Sequence, residues 1–327
     1  MQSDFIGQSV AVMAHSTLFA ATSLVLQNQK YRGRFAPSPT GPLHLGSLIV
    51  AVASYLEAKS NDGQWLVRIE DIDQAREVPG AAEDILLTLA SFGFIWDETV
   101  IYQSKRQKYA AALEKLVDNS LAYPCFCSRK EVADSAILGL DGLIYQGTCR
   151  NNNQENTAKK PAIRIKVPES YIGFIDGLQG KIKQHLAQDI GDFILARADG
   201  FYAYQLAVVI DDEAQQISHV VRGADLIDSA PRQIYLQQAL GFATPHYVHI
   251  PIATNSLGAK LSKTTLANPL DKTKPELALW QALDFLGQAP PNAMKTATLN
   301  TIWDWAKTHW HLTHVPALRQ QSLRDGS

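Results

Sequence analysis

The chain has 327 residues, 46% hydrophobic and 19% charged, a make-up that suits a globular protein with room for two or three packed units. Thirty Lys and Arg stand against 32 Asp and Glu, a net charge of −2. This excludes a global basic field, so any RNA contact must use local patches. Disordered, collagenous and coiled-coil classes are excluded by the same composition.

Residues 1–28 read as an N-terminal extension, loosely ordered or upstream of an internal start. The first 29 residues carry one charge, Asp4, and Gln8, Ser9, His15, Ser16, Thr17, Thr22 and Ser23 interrupt the apolar run. A secretory signal needs a basic start and an unbroken apolar stretch. We therefore expect no membrane partner and a cytoplasmic location.

From residue 29 to 122 the pattern is strand, loop, helix. A strand at 31–35 precedes a turn rich in proline (Pro37, Pro39, Pro42), and Leu45, Leu48, Ile49, Val52, Ala53 and Leu56 then recur at helical spacing. A strand at 65–69 ends in Glu70, Asp71 and Asp73, and a helix opens after Pro79. A further helix starts from Ser104, read as its N-cap. Alternation of this kind predicts an α/β fold with a parallel sheet.

Residues 123–190 read as an inserted subdomain. It holds all three cysteines, Cys125, Cys127 and Cys149, and β-like runs at 163–167 and 173–176. Three soft ligands within 25 residues make either a metal site or a set of buried thiols. The second part of the core spans 191–254, with a run at 193–197, apolar runs at 204–210 and 217–222, a helix from Ser229 to Gly241, and a strand at 249–253. Residues 255–327 form a Lys-bearing loop and a helical C-terminal region. Only 64 residues follow Lys263, few for another domain that reads nucleic acid.

Gly41 to Ser47 reads G-P-L-H-L-G-S, with Ser47 where a P-loop needs Lys. It opens a helix whose first turn carries His44, Gly46 and Ser47, so it is a phosphate site at a helix N-terminus or a tight turn with an exposed His. Ala259 to Thr264 reads A-K-L-S-K-T, where Lys260 and Lys263 can meet an anion. Together, H-L-G-S and K-L-S-K resemble the paired signatures of class I aminoacyl-tRNA synthetases. That resemblance implies a Rossmann-type nucleotide-binding sheet, with His44, Ser47, Lys260 and Lys263 catalytic and His44, Gly46 and Lys263 at ATP.

R-F-A-P-S-P-T-G at 34–41, R-I-E-D-I-D at 68–73 and V-R-G-A-D-L at 221–226 are similar to motifs of the glutamyl-tRNA synthetase family. E-V-P-G-A-A at 77–82 and the C-x-C pair resemble its short members, which lack an anticodon-binding domain. The resemblance implies that Arg34, Ala36, Ser38, Glu70, Tyr204 and Arg222 bind L-glutamate. It also implies ATP with magnesium, one structural zinc on Cys125, Cys127, Tyr145 and Cys149, and transfer of glutamate to queuosine in tRNA(Asp). The residue types suit that substrate, since two carboxylates call for guanidinium forks and the ammonium for an anion. Activation should not need tRNA. A conventional synthetase acting on tRNA(Glu) and a non-catalytic RNA-binding paralogue are the alternatives. Lys181 with Lys183, and Arg129 with Lys130, are basic pairs that meet RNA phosphates or simply face solvent.

Overall fold

A computed structural model describes residues 30–105, 108–139, 142–151, 159–255, 258, 260 and 268–323. Residues 1–29 and Lys263 lie outside this set. Strand β1 (Arg32–Phe35) pairs in parallel with β2 (Gln64–Ile69), and β2 with β3 (Ile101–Tyr102). Helix α1 (Leu45–Ser60) makes the crossover and is buried along most of its length, as its run of small and apolar residues requires. Helix α2 (Ala81–Ser91) follows β2.

Helix α3 (Tyr109–Asp118) starts at Lys108, not at Ser104. Ser104 instead gives both its N–H and its hydroxyl to the Asp71 carboxylate, at 2.8 and 2.5 Å. A serine that could cap a helix is drawn to a buried carboxylate on a loop remote in sequence.

The chain then builds an antiparallel sheet in which β4 (Ala122–Cys125) and β7 (Ala162–Ile165) pair, and β7 pairs with β10 (Ile194–Ala196). Between β4 and β7 lie α4 (Arg129–Ser135), held by a Ser128–Glu131 capping box, and a hairpin of β5 (Ile137–Gly139) and β6 (Gly142–Ile144). A second hairpin, β8 (Tyr171–Asp176) with β9 (Gly180–His185), leads into α5 (Leu186–Asp189).

The apolar run at 204–210 lies in helix α6 (Tyr204–Ala214), where Leu206 through Asp212 are all buried. A segment buried on every side shows no period, so sequence alone does not decide between helix and strand there. The run at 217–222 enters strand β11 (His219–Gly223), parallel to β12 (His246–Ile250). Ser218 N–H donates to Arg32 O at 3.0 Å and places β11 beside β1. Helix α7 (Ala230–Leu240) has Pro231 in its first turn and ends on Gly241 in the left-handed region, φ 76°. Ser229 sits at its start without capping it, since its hydroxyl accepts from Gln205 and Arg232. Pro251 splits the run at 249–253, so β12 ends at Ile250 and β13 (Ile252–Thr254) begins a new pairing with β14 (Gln320–Ser322).

The C-terminal helices α8 (Pro275–Phe285) and α9 (Leu299–His309) belong to the main core. Leu279, Leu283, Ile302 and Trp303 pack with α1, β1 and β2 in one apolar cluster. A second cluster joins α3, β4, α6, α7 and β11. Among the described residues no helix is long and apolar enough to cross a membrane.

Candidate active site

Arg34 is the third residue of β1 and Glu70 follows β2, so both lie at the carboxyl ends of parallel strands, where open α/β sheets bind ligands. Glu70 N–H donates to Pro37 O at 2.9 Å and draws the loop with Ala36 and Ser38 alongside. Arg34 turns inward. Its Nε and Nη2 donate to Asp212 Oδ1 and Oδ2 at 3.1 and 3.3 Å. Arg68, fully buried on β2, reaches Asp212 at 2.8 Å, Gln215 at 2.7 Å and Glu70 at 3.2 Å.

Two guanidiniums and two carboxylates thus form a neutral buried set. Burial drives the Asp212 carboxyl up, but the charges and hydrogen bonds of Arg34 and Arg68 outweigh it and hold the group below the usual range. Glu70 goes the other way, raised by burial despite Arg68 and Arg34. Asp212 and Arg68 carry no role in the sequence reading. The one signal in the sequence was the arginine between Val67 and Ile69, because buried charges are rarely unpaired; Asp212 lies between Asp211 and Glu213 past the end of the apolar run and carries no such mark.

Arg222, fourth in β11, is buried and held at three corners. Nε donates to His249 Nε2 at 2.9 Å, Nη1 to Gln233 Oε1 at 2.9 Å and Nη2 to Leu226 O at 3.2 Å. Its guanidinium lies 5.1 Å from the Tyr247 ring centre. Tyr204, at the start of α6, feels both clusters. Burial and then the Glu70 charge raise its phenol, while Arg222 and Arg34 oppose them.

At the N-terminus of α1, His44 is the cap. Its Nδ1 accepts from Ser47 N–H at 3.3 Å, and its Nε2 lies 3.2 Å from Ser47 Oγ. Gly46 is in the first turn and adds no side chain of its own beside the N-terminal N–H groups. Leu270 N–H donates to Leu43 O at 3.0 Å and Pro269 bridges His44, which brings the far end of the Lys-bearing loop back to this helix start. Lys260 bridges Thr254 and pairs with Asp225, just past β11. Lys263 lies outside the described residues.

In the inserted sheet the three cysteine sulfurs lie within 4.8 Å of one another. Tyr145 Oη is 3.5 Å from the Cys125 and Cys127 sulfurs and accepts from Cys149 N–H at 2.7 Å. Cys127 and Cys149 sulfurs are 3.5 Å apart, near the spacing of about 3.8 Å that a tetrahedron with Zn–S of about 2.3 Å demands. The segment before Tyr145 forms α4 and the β5–β6 hairpin. Burial pushes the Cys127 thiol up to about 11. Three thiols and a phenol facing one point suit a soft, four-coordinate cation.

Fold and site define a catalytic domain of the class I tRNA synthetases: the family model "tRNA synthetases class I (E and Q), catalytic domain" matches residues 30–306, and the chain belongs to that family. Within it, the chain is 53% identical over 299 residues to the Glutamyl-Q tRNA(Asp) synthetase of Dechloromonas aromatica, covering 90% of this chain and 98% of that protein. It is 52% identical over 293 residues to the protein of the same name from Chromobacterium violaceum, covering 89% and 97%. Among solved structures it resembles a glutamate-tRNA synthetase from Elizabethkingia anophelis, with TM-score 0.76 and 25% identity over 91% of this chain and 68% of that one. It also resembles a glutamate tRNA ligase from Elizabethkingia meningosepticum in complex with its amino acid, with TM-score 0.75, 25% identity, and coverage of 90% and 67%.

Proposed function

We propose that this protein activates L-glutamate with ATP, without tRNA, and transfers it to the cyclopentene-diol of queuosine in the anticodon of tRNA(Asp). The observation that carries the reading is the buried set of Arg34, Glu70 and Arg222 around Tyr204, in a chain that matches Glutamyl-Q tRNA(Asp) synthetases over nearly their whole length. Glu70 takes the substrate ammonium. Arg34 and Arg222 take its carboxylates, while Ala36 and Ser38 line the loop and Tyr204 closes the side between them.

An oxygen of the glutamate α-carboxylate attacks the α-phosphorus of ATP; the bond to the bridging oxygen breaks and pyrophosphate leaves. Charge grows on the phosphoryl oxygens, so positioned donors matter more than a base. His44, Gly46 and Ser47 at the start of α1 supply them, together with Lys260 and Lys263. Magnesium accompanies the nucleotide as a counter-charge. A diol hydroxyl then attacks the carbonyl carbon of the mixed anhydride and AMP departs, a step that needs orientation above all. Zinc would be held by Cys125, Cys127, Tyr145 and Cys149; it would supply no chemistry and would tie the end of β4 to the turn after the β5–β6 hairpin. The substrates place the enzyme in the cytoplasm.

The test supplies labelled glutamate and ATP with three RNAs: tRNA(Asp) with queuosine, tRNA(Asp) with guanosine at that position, and tRNA(Glu). Labelling of the first alone is expected. Labelling of tRNA(Glu), or of both tRNA(Asp) forms equally, overturns the acceptor.

A further inference from the structure

His249 Nδ1 lies 2.6 Å from Asp176 Oδ2, and both side chains are 0% exposed. Asp176 is the last residue of β8, and its other oxygen accepts from the N–H groups of Leu178, Gln179 and His249 at 3.0, 2.8 and 3.2 Å. The opposite ring nitrogen, Nε2, faces Arg222 Nε at 2.9 Å. A guanidinium nitrogen only donates, so Nε2 must accept, and the network assigns the ring proton to Nδ1 beside the carboxylate.

We propose that Asp176 and His249 are positioning residues for Arg222: they occupy its Nε, so that it presents its two terminal nitrogens to a substrate carboxylate. A guanidinium has five N–H groups and can grip a carboxylate along its Nε edge or across its terminal pair. Here the Nε edge is spent on His249. Gln233 and Leu226 O take one N–H from each terminal nitrogen, which leaves one on each. Gln233 is itself held by Gln205 at 2.9 Å, next to Tyr204. A hairpin remote in sequence thereby sets the angle of a glutamate-facing fork. The proposal rests on the reading that Arg222 meets the substrate.

Glutamate-dependent pyrophosphate exchange tests it in the full chain, with thermal melts beside each variant. His249→Leu should raise the KM for glutamate about tenfold and leave that for ATP within about twofold. His249→Gln, whose amide oxygen can accept from Arg222 and whose NH2 can donate to Asp176, should recover KM to within about threefold of the parent. In an Arg222→Ala background, His249→Leu should add nothing further. If His249→Leu does not fold, Asp176→Asn gives the same reading. Its amide donates to Nδ1 and drives the ring proton to Nε2, against Arg222, so KM should rise at nearly constant volume. An unchanged glutamate KM in the folded variant, or an equal increment with and without Arg222, overturns the proposal. An unchanged KM in Arg222→Ala overturns instead the reading of Arg222 as a substrate contact.

Discussion

Arg68, on β2, reaches Asp212, on α6, at 2.8 Å, and the arginine has no exposure at all. The same carboxylate holds Arg34 by two nitrogens. One acid therefore bridges two guanidiniums at the edge of the proposed glutamate site, with Glu70 supplying the second negative charge, and it fixes which part of Arg34 faces a ligand.

Replacing Asp212 by Ala should cost about 3–5 kcal/mol of stability, because it leaves two buried guanidiniums without the carboxylate they share, with Glu70 still paired to Arg68. Urea unfolding measures this directly. Asp212→Asn keeps the shape and loses the charge. It should fold better than the alanine variant yet still raise the glutamate KM in pyrophosphate exchange, since Arg34 is released.

Glu70 should impose an acid limb on glutamate recognition. Burial raises its pKa, so on acidification it takes up its proton at a higher pH than an ordinary glutamate. Only the carboxylate attracts an ammonium, so the glutamate KM should climb as pH falls through that raised pKa. The ATP KM should stay flat. Glu70→Gln should show a high glutamate KM with the limb absent, and a limb that persists in the variant would assign it elsewhere.

His219 should make the fold acid-sensitive. It stacks on Tyr31 at 3.9 Å and on His246 at 4.9 Å, and burial followed by the His246 charge pushes its pKa down to about 4. The unfolded chain binds that proton near its ordinary value, about 6.5. Between the two values the unfolded state holds more protons, so stability falls as pH drops from about 6.5 to about 4. His219→Phe keeps the stack and should flatten the melting temperature across this window.

Purified protein should carry about one zinc per chain, and Cys149→Ser should lose most of it. Removing the metal with a chelator should expose residues 123–149 to proteolysis and lower the melting temperature. Pyrophosphate exchange without RNA should survive, because no step of activation passes through the metal. Protein that is metal-free, stable and fully active would remove zinc from the site.

Much of this protein is readable from short stretches. The strand–loop–helix rhythm, Pro231 and Gly241 around α7, the H-L-G-S and K-L-S-K pair and the C-x-C pair are local patterns, set by backbone sterics, helix ends and ligand spacing. What tertiary structure alone decided is where buried charge finds its partner. Asp212 is 178 positions from Arg34, and His249 is 73 from Asp176. No periodicity links residues that far apart, and each acid or imidazole is ionised, tautomerised and oriented by a charge on another element. The same holds for Ser104, drawn from a cap to Asp71, and for the run at 204–210. Its helix is selected by packing on every side, which erases the amphipathic stripe that would announce it.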